Sequence, residues 1–532
     1  MTRTSRKAGI ASPTHVGSTH AGWLPGPHGL LKRRIAEGGA LTGETSRPRV
    51  DRALWLIVLL ALVLRLPGVT RPLLGNFATK SAVYAMIARN LVEGRASILH
   101  PTLDVLRGGE RSYHLTELPV SAYLTGGLWK VFGGPLDVWG RATSIGWSLV
   151  AVACFYFLLR DWHGEAIAWA GAAALALSPV AIIYGQSFQL EASVLALTAL
   201  TVWAADRWLT RNRLRWLVAA LLSAMGLLLT KIFMAYLIVP LVYLAWRRRG
   251  AAAFRSPIAW VAVVVAALPA ALWYGYVYLG IAGGFGGNAD RVYFSVRQSV
   301  GDHAFPHPLL GSVDFYKHLI DDLAGVALTP VGFTLAVLAL CGGVPRRYVV
   351  WLVGAGLLVL LLPRKFYEMN YYWTATLLPL CGLAAIGCSR VLERIDSRRR
   401  GLILLGGAWL LFSLRLSVTP AFSTPADDAS VVAAGQAVER VSRPEERVIT
   451  LHGSSLDLLY YCNRPGWVFP ITDNEAPAKR LESYRQQGAR YFVVAGLAQL
   501  DRVAGLRSAT DMLAIAEEGK DYVVYRLAPR AF

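Results

Sequence analysis

Residues 139–159 read TrpGlyArgAlaThrSerIleGlyTrpSerLeuValAlaValAlaCysPheTyrPheLeuLeu, with Arg141 near the start and no charged residue after it. A stretch this apolar and this long has the reach of a bilayer-crossing helix, which needs about 20 residues. Working outward, the pattern recurs at 53–69, 165–184, 190–206, 214–230, 232–246, 258–280, 324–342, 348–363, 371–388 and 401–418. The segment 118–133 is apolar but shorter and broken, which predicts an interfacial or re-entrant helix. Composition agrees: 55% of the 532 residues are hydrophobic and 17% are charged. Soluble domains carry about 25% charged residues. An ordinary soluble enzyme, a disordered chain and a collagen-like chain are all excluded.

The spacing therefore predicts an α-helical polytopic membrane protein with about eleven spans. The formal charge of +20, from 54 Lys and Arg against 34 Asp and Glu, fits that class without nucleic acid as a partner. Basic residues gather in cytoplasmic loops and set topology. Arg207–Arg215, Arg247–Arg249, Arg346-Arg347 and Arg390–Arg400 fall in alternate loops, on the same side as the N-terminus. Residues 1–52, basic at Lys32-Arg33-Arg34 and without an early apolar run, read as a disordered cytoplasmic tail. Eleven spans over 53–418 then leave loop 70–138, loop 281–323 and the segment 419–532 outside. That last segment alternates β-rich runs (447–451, 467–471, 491–495, 522–527) with helical ones (426–441, 476–487), as a small α/β domain does. Cys154, Cys341, Cys381 and Cys388 lie in apolar runs and only Cys462 in the C-terminal segment, so that segment holds no internal disulfide.

Within the spans charges are few: Arg65 near the end of the first and Arg415 near the end of the last. The ionisable residues gather in the outside loops, which places the chemistry at the outer membrane face. Residues 80–92 have helical spacing and bring Tyr84, Arg89 and Glu93 with them. The plainer reading is an amphipathic helix lying on the bilayer. Asp104, Glu117 and Glu191 are the outer carboxylates suited to proton transfer; each also has a plain reading as a loop or helix-start acid. His100, His114, His303 and His307, with Asp302 and Asp314, lack tight ligand spacing, so no metal or other cofactor is expected. The Gly-rich stretch 283–288 reads equally as a lid or as a plain flexible loop.

The order of the pieces resembles one family. Tyr84-Ala85-x-Ile87-Ala88-Arg89-Asn90 follows the first span. Glu117-x-Pro119 then opens an interfacial helix ending in Phe132-Gly133, and Gly140-Arg141 opens the next span. Leu177-Ser178-Pro179, Glu191 and Asn370-Tyr371-Tyr372 come later. This order is similar to the protein-mannosyltransferase and aminoarabinose-transferase-like family of GT-C glycosyltransferases, over about 55–210 and again at 364–385.

The resemblance implies transfer of a sugar from a polyprenyl-phosphate donor to an extracytoplasmic lipid, protein or glycan acceptor, with inversion at the anomeric carbon. It implies a protein integral to a bacterial inner membrane, in contact with membrane lipids. Phosphate release needs no acid, so one carboxylate acting on the acceptor is enough. Glu117, Glu191 and Asp104 are its catalytic candidates. Lys80, Tyr84, Arg89, Arg364, Lys365, Asn370, Tyr371 and Tyr372 are its candidates around the carrier phosphate. This chain departs from the family at Lys80-Ser81, where many members carry Asp, and at Leu118, where many carry Lys. Lys80 then has three readings: a donor-phosphate ligand, a partner for an acidic acceptor, or a solvated loop lysine. A transporter or lipid flippase, and a non-catalytic member of the fold, are the rival classes.

Overall fold

The computed structural model describes residues 52–75, 77–282, 289–295, 301–395, 397–418, 426–472 and 475–527. The basic segment before Arg52 and the Gly-rich stretch 283–288 lie outside these residues. Every predicted span window holds helix, from Arg52–Val63 through to Arg398–Ser413. By length and composition, three of the described helices can cross a membrane: Leu136–His163, Pro257–Leu279 and Arg398–Ser417. The number rises to five if each of two bent pairs is one span. The other windows are met by shorter helices, some of them broken by 3-10 or π turns, or by the charged Glu191–Arg211 helix.

One break shows how such a bundle tolerates free backbone groups. The helices Glu165–Ala176 and Pro179–Gly185 meet at 60°. Proline cannot continue the hydrogen-bond ladder, and the Ser178 hydroxyl caps the new helix by accepting from the Ala181 amide at 3.3 Å. Arg65, fully buried, donates to the carbonyls of Ala176 (3.3 Å) and Ala181 (3.0 Å) across the bend. A buried carbonyl without a partner would be costly, and Arg65 supplies that partner.

The outer loops fold with the C-terminal segment. β1 (Thr102–Arg107) and β2 (Glu110–Leu115) form a hairpin whose turn, Gly108-Gly109, has φ of 58° and 81°. Two consecutive positive φ values are what a tight hairpin turn requires, and glycine meets them without strain. β3 (Val292–Ser295) comes from the second outer loop. β4 (Arg447–Leu451), β5 (Gly466–Val468), β6 (Ala489–Ala495), β7 (Ala514–Gly519) and β8 (Tyr522–Arg526) come from the C-terminal segment. All eight join one sheet in the order β3-β2-β1-β5-β4-β6-β8-β7. The seam is β1 against β5, with Val105 opposite Gly466.

The predicted helix over 80–92 spans Ala78–Val92. Residues Ser81 through Asn90 are all buried, so the helix does not lie on the bilayer surface. One apolar core runs from Ala82–Ala88 of this helix into Val431, Val448 and Leu458 of the C-terminal domain. The interfacial helix expected at 118–133 is Val120–Phe132.

Candidate active site

At the base of the outer loops lies a cavity of about 710 Å³. Its walls are rich in aromatic residues, with Tyr84, Tyr274, Phe294, Tyr371 and Tyr372 among them; Lys80, Lys231, Lys365 and Arg107 bring the cations and Glu117 the carboxylate. Several chain segments deliver these groups, with Tyr274 on the Pro257–Ala282 helix and Phe294 on β3. Lys80 and Tyr84 stand four residues apart on the Ala78–Val92 helix, one above the other on the same face. Glu117 follows β2, and the Leu118 amide donates to the Leu229 carbonyl at 3.0 Å. That bond ties the Glu117 loop to the end of the Leu214–Thr230 helix, where Lys231 follows directly. Lys365 sits on the short Pro363–Glu368 helix, and Tyr371 and Tyr372 on the 3-10 turn Asn370–Ala375.

The lysines are organised by Glu191. This carboxylate opens the Glu191–Arg211 helix and is fully buried. Its Oε1 accepts from Lys80 Nζ at 2.7 Å and from Lys231 Nζ at 2.8 Å. Oε2 is buried with no hydrogen-bond partner among the described residues. A helix N-terminus favours a carboxylate, and here that carboxylate anchors two ammonium groups. Lys80 Nζ lies 3.9 Å from the Tyr371 ring centroid, and Lys231 lies 4.8 Å from that of Tyr372. Lys80 is therefore an anchored group, and the solvated-loop reading of it is overturned. Lys365 is buried; among the described residues no ion pair holds it, and its nearest ring is Tyr372 at 5.9 Å. Burial, and then the charges of Lys80 and Lys231, bring its pKa down to about 8.

Glu117 lines the same cavity as the lysines. The Tyr84 hydroxyl donates to its Oε1, and His114 Nε2 lies 3.7 Å from the same oxygen. Thr116 Oγ1 lies 2.7 Å from His114 Nε2. Burial pushes the Glu117 carboxyl up. The hydrogen bond and charge of His114, the charge of Lys80 and the Tyr84 hydroxyl outweigh burial and hold it well below the usual carboxylate range. It is ionised throughout the physiological range. Burial, and then the charges of Glu117 and Glu191, push the Tyr84 phenol up, so it remains a donor.

The structure does not bring every expected residue to the cavity. Asp104 on β1 is buried between Arg89 Nη2 at 2.7 Å and Arg111 Nε at 3.0 Å, away from the cavity lining. Arg89 also donates to the Tyr460 carbonyl at 3.0 Å and stacks on that ring at 4.8 Å. Both residues are spent in joining the first loop to the C-terminal domain. Arg364 pairs with Glu368 at 2.7 Å at the surface. Asn370 accepts from the Tyr184 hydroxyl at 2.5 Å behind the cavity wall. Glu191 stands behind the lysines and outside the lining, which removes it from direct proton transfer. Sequence reasoning missed Lys231, whose signal was a lone lysine between two apolar runs. It also missed Tyr274 and Phe294, which carry no signal beyond being aromatic. Among the described residues no group of three or more His, Cys, Asp or Glu forms a ligand set.

Fold and site together define a polytopic membrane protein of GT-C architecture, with an aromatic, lysine-rich cavity beneath its extramembrane domain. Residues 116–274 match the model of the dolichyl-phosphate-mannose-protein mannosyltransferase family. The structure is similar to that of ArnT from Cupriavidus metallidurans bound to undecaprenyl phosphate, with TM-score 0.61 and 14% identity. That match covers 90% of this chain and 98% of the other. The apo state of the same ArnT gives TM-score 0.58 and 15% identity, over 89% and 97% of the two chains. No curated protein matches this chain in sequence. The chain carries the GT-C membrane fold over nearly its whole length, and the family likeness in sequence lies within residues 116–274.

Proposed function

We propose that this protein transfers a sugar from a polyprenyl-phosphate donor to an extracytoplasmic acceptor, with inversion at the anomeric carbon. One observation carries the reading: Lys80, Lys231 and Lys365 gather around Tyr371 and Tyr372 and line one aromatic-rich cavity together with the ionised Glu117. Desolvated ammonium groups suit a phosphate, and aromatic faces suit a sugar ring and an isoprenoid. Glu117 takes the proton of the acceptor hydroxyl as its oxygen bonds to the anomeric carbon. The bond from that carbon to the phosphate oxygen breaks, and the electron pair leaves with the polyprenyl phosphate, held by the lysines. Preorganised charge of this kind, largely buried, is worth more than the same charge in water. No residue needs to act as acid, and no metal or other cofactor enters the scheme. Likeness to a protein whose structure holds undecaprenyl phosphate supports the donor class.

The orientation follows from the Glu191–Arg211 helix, which begins at the cavity and ends in the Arg-rich turn. Arg248 and Arg249 pack against that far end, on Asp206 and the Trp208 carbonyl. The positive-inside rule then supports a cavity and C-terminal domain that face outward. A bacterial inner membrane provides such a face and such carriers.

The test is mass spectrometry of lipids that copurify with the protein in mild detergent, followed by transfer assays with the donor so found. A polyprenyl-phosphate sugar in wild type, depleted in Lys80→Ala, is the expected result. Glu117→Gln should keep the lipid and lose about 10²–10⁴-fold in transfer. Wild-type binding without turnover would favour a non-catalytic member of the fold. A bound solute of another class, carried across a vesicle membrane, would replace the reading with transport.

A further inference from the structure

The turn that carries Lys80 begins a helix with no cap of its own. Phe77 at the N-cap has φ of 54°, and no side chain there accepts a hydrogen bond. The Ala78 and Lys80 amides donate locally to the Gly75 and Phe77 carbonyls at 3.1 and 2.9 Å, but a left-handed phenylalanine is a strained way to enter a helix. What grips this turn lies far along the chain. Thr79 Oγ1 is 2.8 Å from Ser455 Oγ, and the Leu456 amide donates to Thr79 Oγ1 at 3.3 Å. Thr79 itself lines the cavity beside Lys80.

The segment that offers Ser455 is braced from within. His452 Nδ1 and Asp457 Oδ1 are 3.0 Å apart and both residues are buried. The Asp457 carboxylate accepts from the Leu458 amide at 2.7 Å, and Ser455 Oγ accepts from the Asp457 amide at 3.4 Å. A few residues on, the hydroxyls of Tyr460 and Tyr461 donate to the two oxygens of Asp137, each at 2.6 Å. Segment 452–461 is thus fixed to the Leu136–His163 helix at one end and grips the start of the Lys80 helix at the other.

We infer that the C-terminal domain is a working part of the transfer site, in which Ser455, through Thr79, positions Lys80 on the carrier phosphate. The inference rests on the donor reading above and adds a positioning residue outside the membrane domain. The full-length chain in lipid nanodiscs, titrated with undecaprenyl phosphate, tests it. Lys80→Ala should weaken binding, and Ser455→Ala should weaken it about three- to tenfold, the scale of one hydrogen bond. The double variant should bind no more weakly than Lys80→Ala alone, because both losses pass through one group. Ser455→Thr, which keeps the hydroxyl, should restore wild-type binding. Thr79→Val should reproduce the Ser455→Ala loss from the other partner, which keeps the test open if one variant folds poorly. Additive losses, or wild-type binding by both Ser455→Ala and Thr79→Val, would overturn the positioning role while leaving the donor reading intact. Unchanged binding by Lys80→Ala would overturn both.

Discussion

Lys365 is the residue through which pH should reach the site. Its ammonium is charged below about 8 and neutral above. In the free enzyme its contribution to holding a phosphate is present at low pH and is lost as pH rises through that value. The ratio kcat/KM reports groups of the free enzyme. It should fall on a limb near pH 8, and Lys365→Arg should move that limb upward or remove it. Asp104 makes the opposite case. Burial pushes its carboxyl up, but the charges and hydrogen bonds of Arg89 and Arg111 outweigh burial and leave it below the ordinary range. A depressed carboxyl stabilises the fold fully above the unfolded pKa and loses that contribution as pH falls through the folded one. Asp104→Asn should therefore shrink the acid limb of a stability–pH curve. Arg89→Ala leaves Arg111 as the one partner of a buried charge and should cost about 3–5 kcal/mol of stability. If Arg89 instead held phosphate, its loss would appear in carrier binding with stability unchanged.

At the scale of elements, the close approaches between segments are set by glycine. Gly435, on the Ala426–Val441 helix, has the Tyr461 backbone where a side chain would begin: a Cβ there would stand 2.5 Å from the Tyr461 carbonyl oxygen. At Gly466 on β5 a Cβ would stand 2.0 Å from the Val448 oxygen. Backbone cannot yield as a flexible side chain does. Gly435→Ala should lower stability by about 1–3 kcal/mol, the usual cost of overpacking, read as a drop in melting temperature. Its consequence should extend to the Tyr460-Tyr461 clamp on Asp137. Elements with strong local signals were legible in the sequence. The helix over 78–92 showed its spacing, Val120–Phe132 its apolar run, and β4, β6 and β8 their β-rich composition. β1, β2 and β3 were read as loop. They are short, they draw much of their pairing from outside their own segment, and such pairing leaves no periodic trace.

At the scale of the molecule, the outer loops and the C-terminal domain share a sheet and a core. A chain ending at Val418 would expose the buried face of the Ala78–Val92 helix and leave β1 without β5. It should aggregate or elute heterogeneously in detergent and fail to bind polyprenyl phosphate. A monodisperse truncated protein with wild-type carrier affinity would refute that dependence.

The sequence by itself determined the class of protein: hydrophobic runs of bilayer length leave a chain few other ways to bury them. It also brought Lys80, Tyr84, Glu117, Lys365, Tyr371 and Tyr372 onto the page as candidates, all of which line the cavity, because motif order is a property of the chain. Which of the candidates face the substrate was decided by tertiary structure alone. Arg89 and Asp104 satisfy each other, Glu191 turns from base into anchor, and Lys231 enters as a third cation. Ion pairing is chosen by distance in space: a buried charge takes whichever partner folding brings within reach, and sequence separation carries no record of that choice.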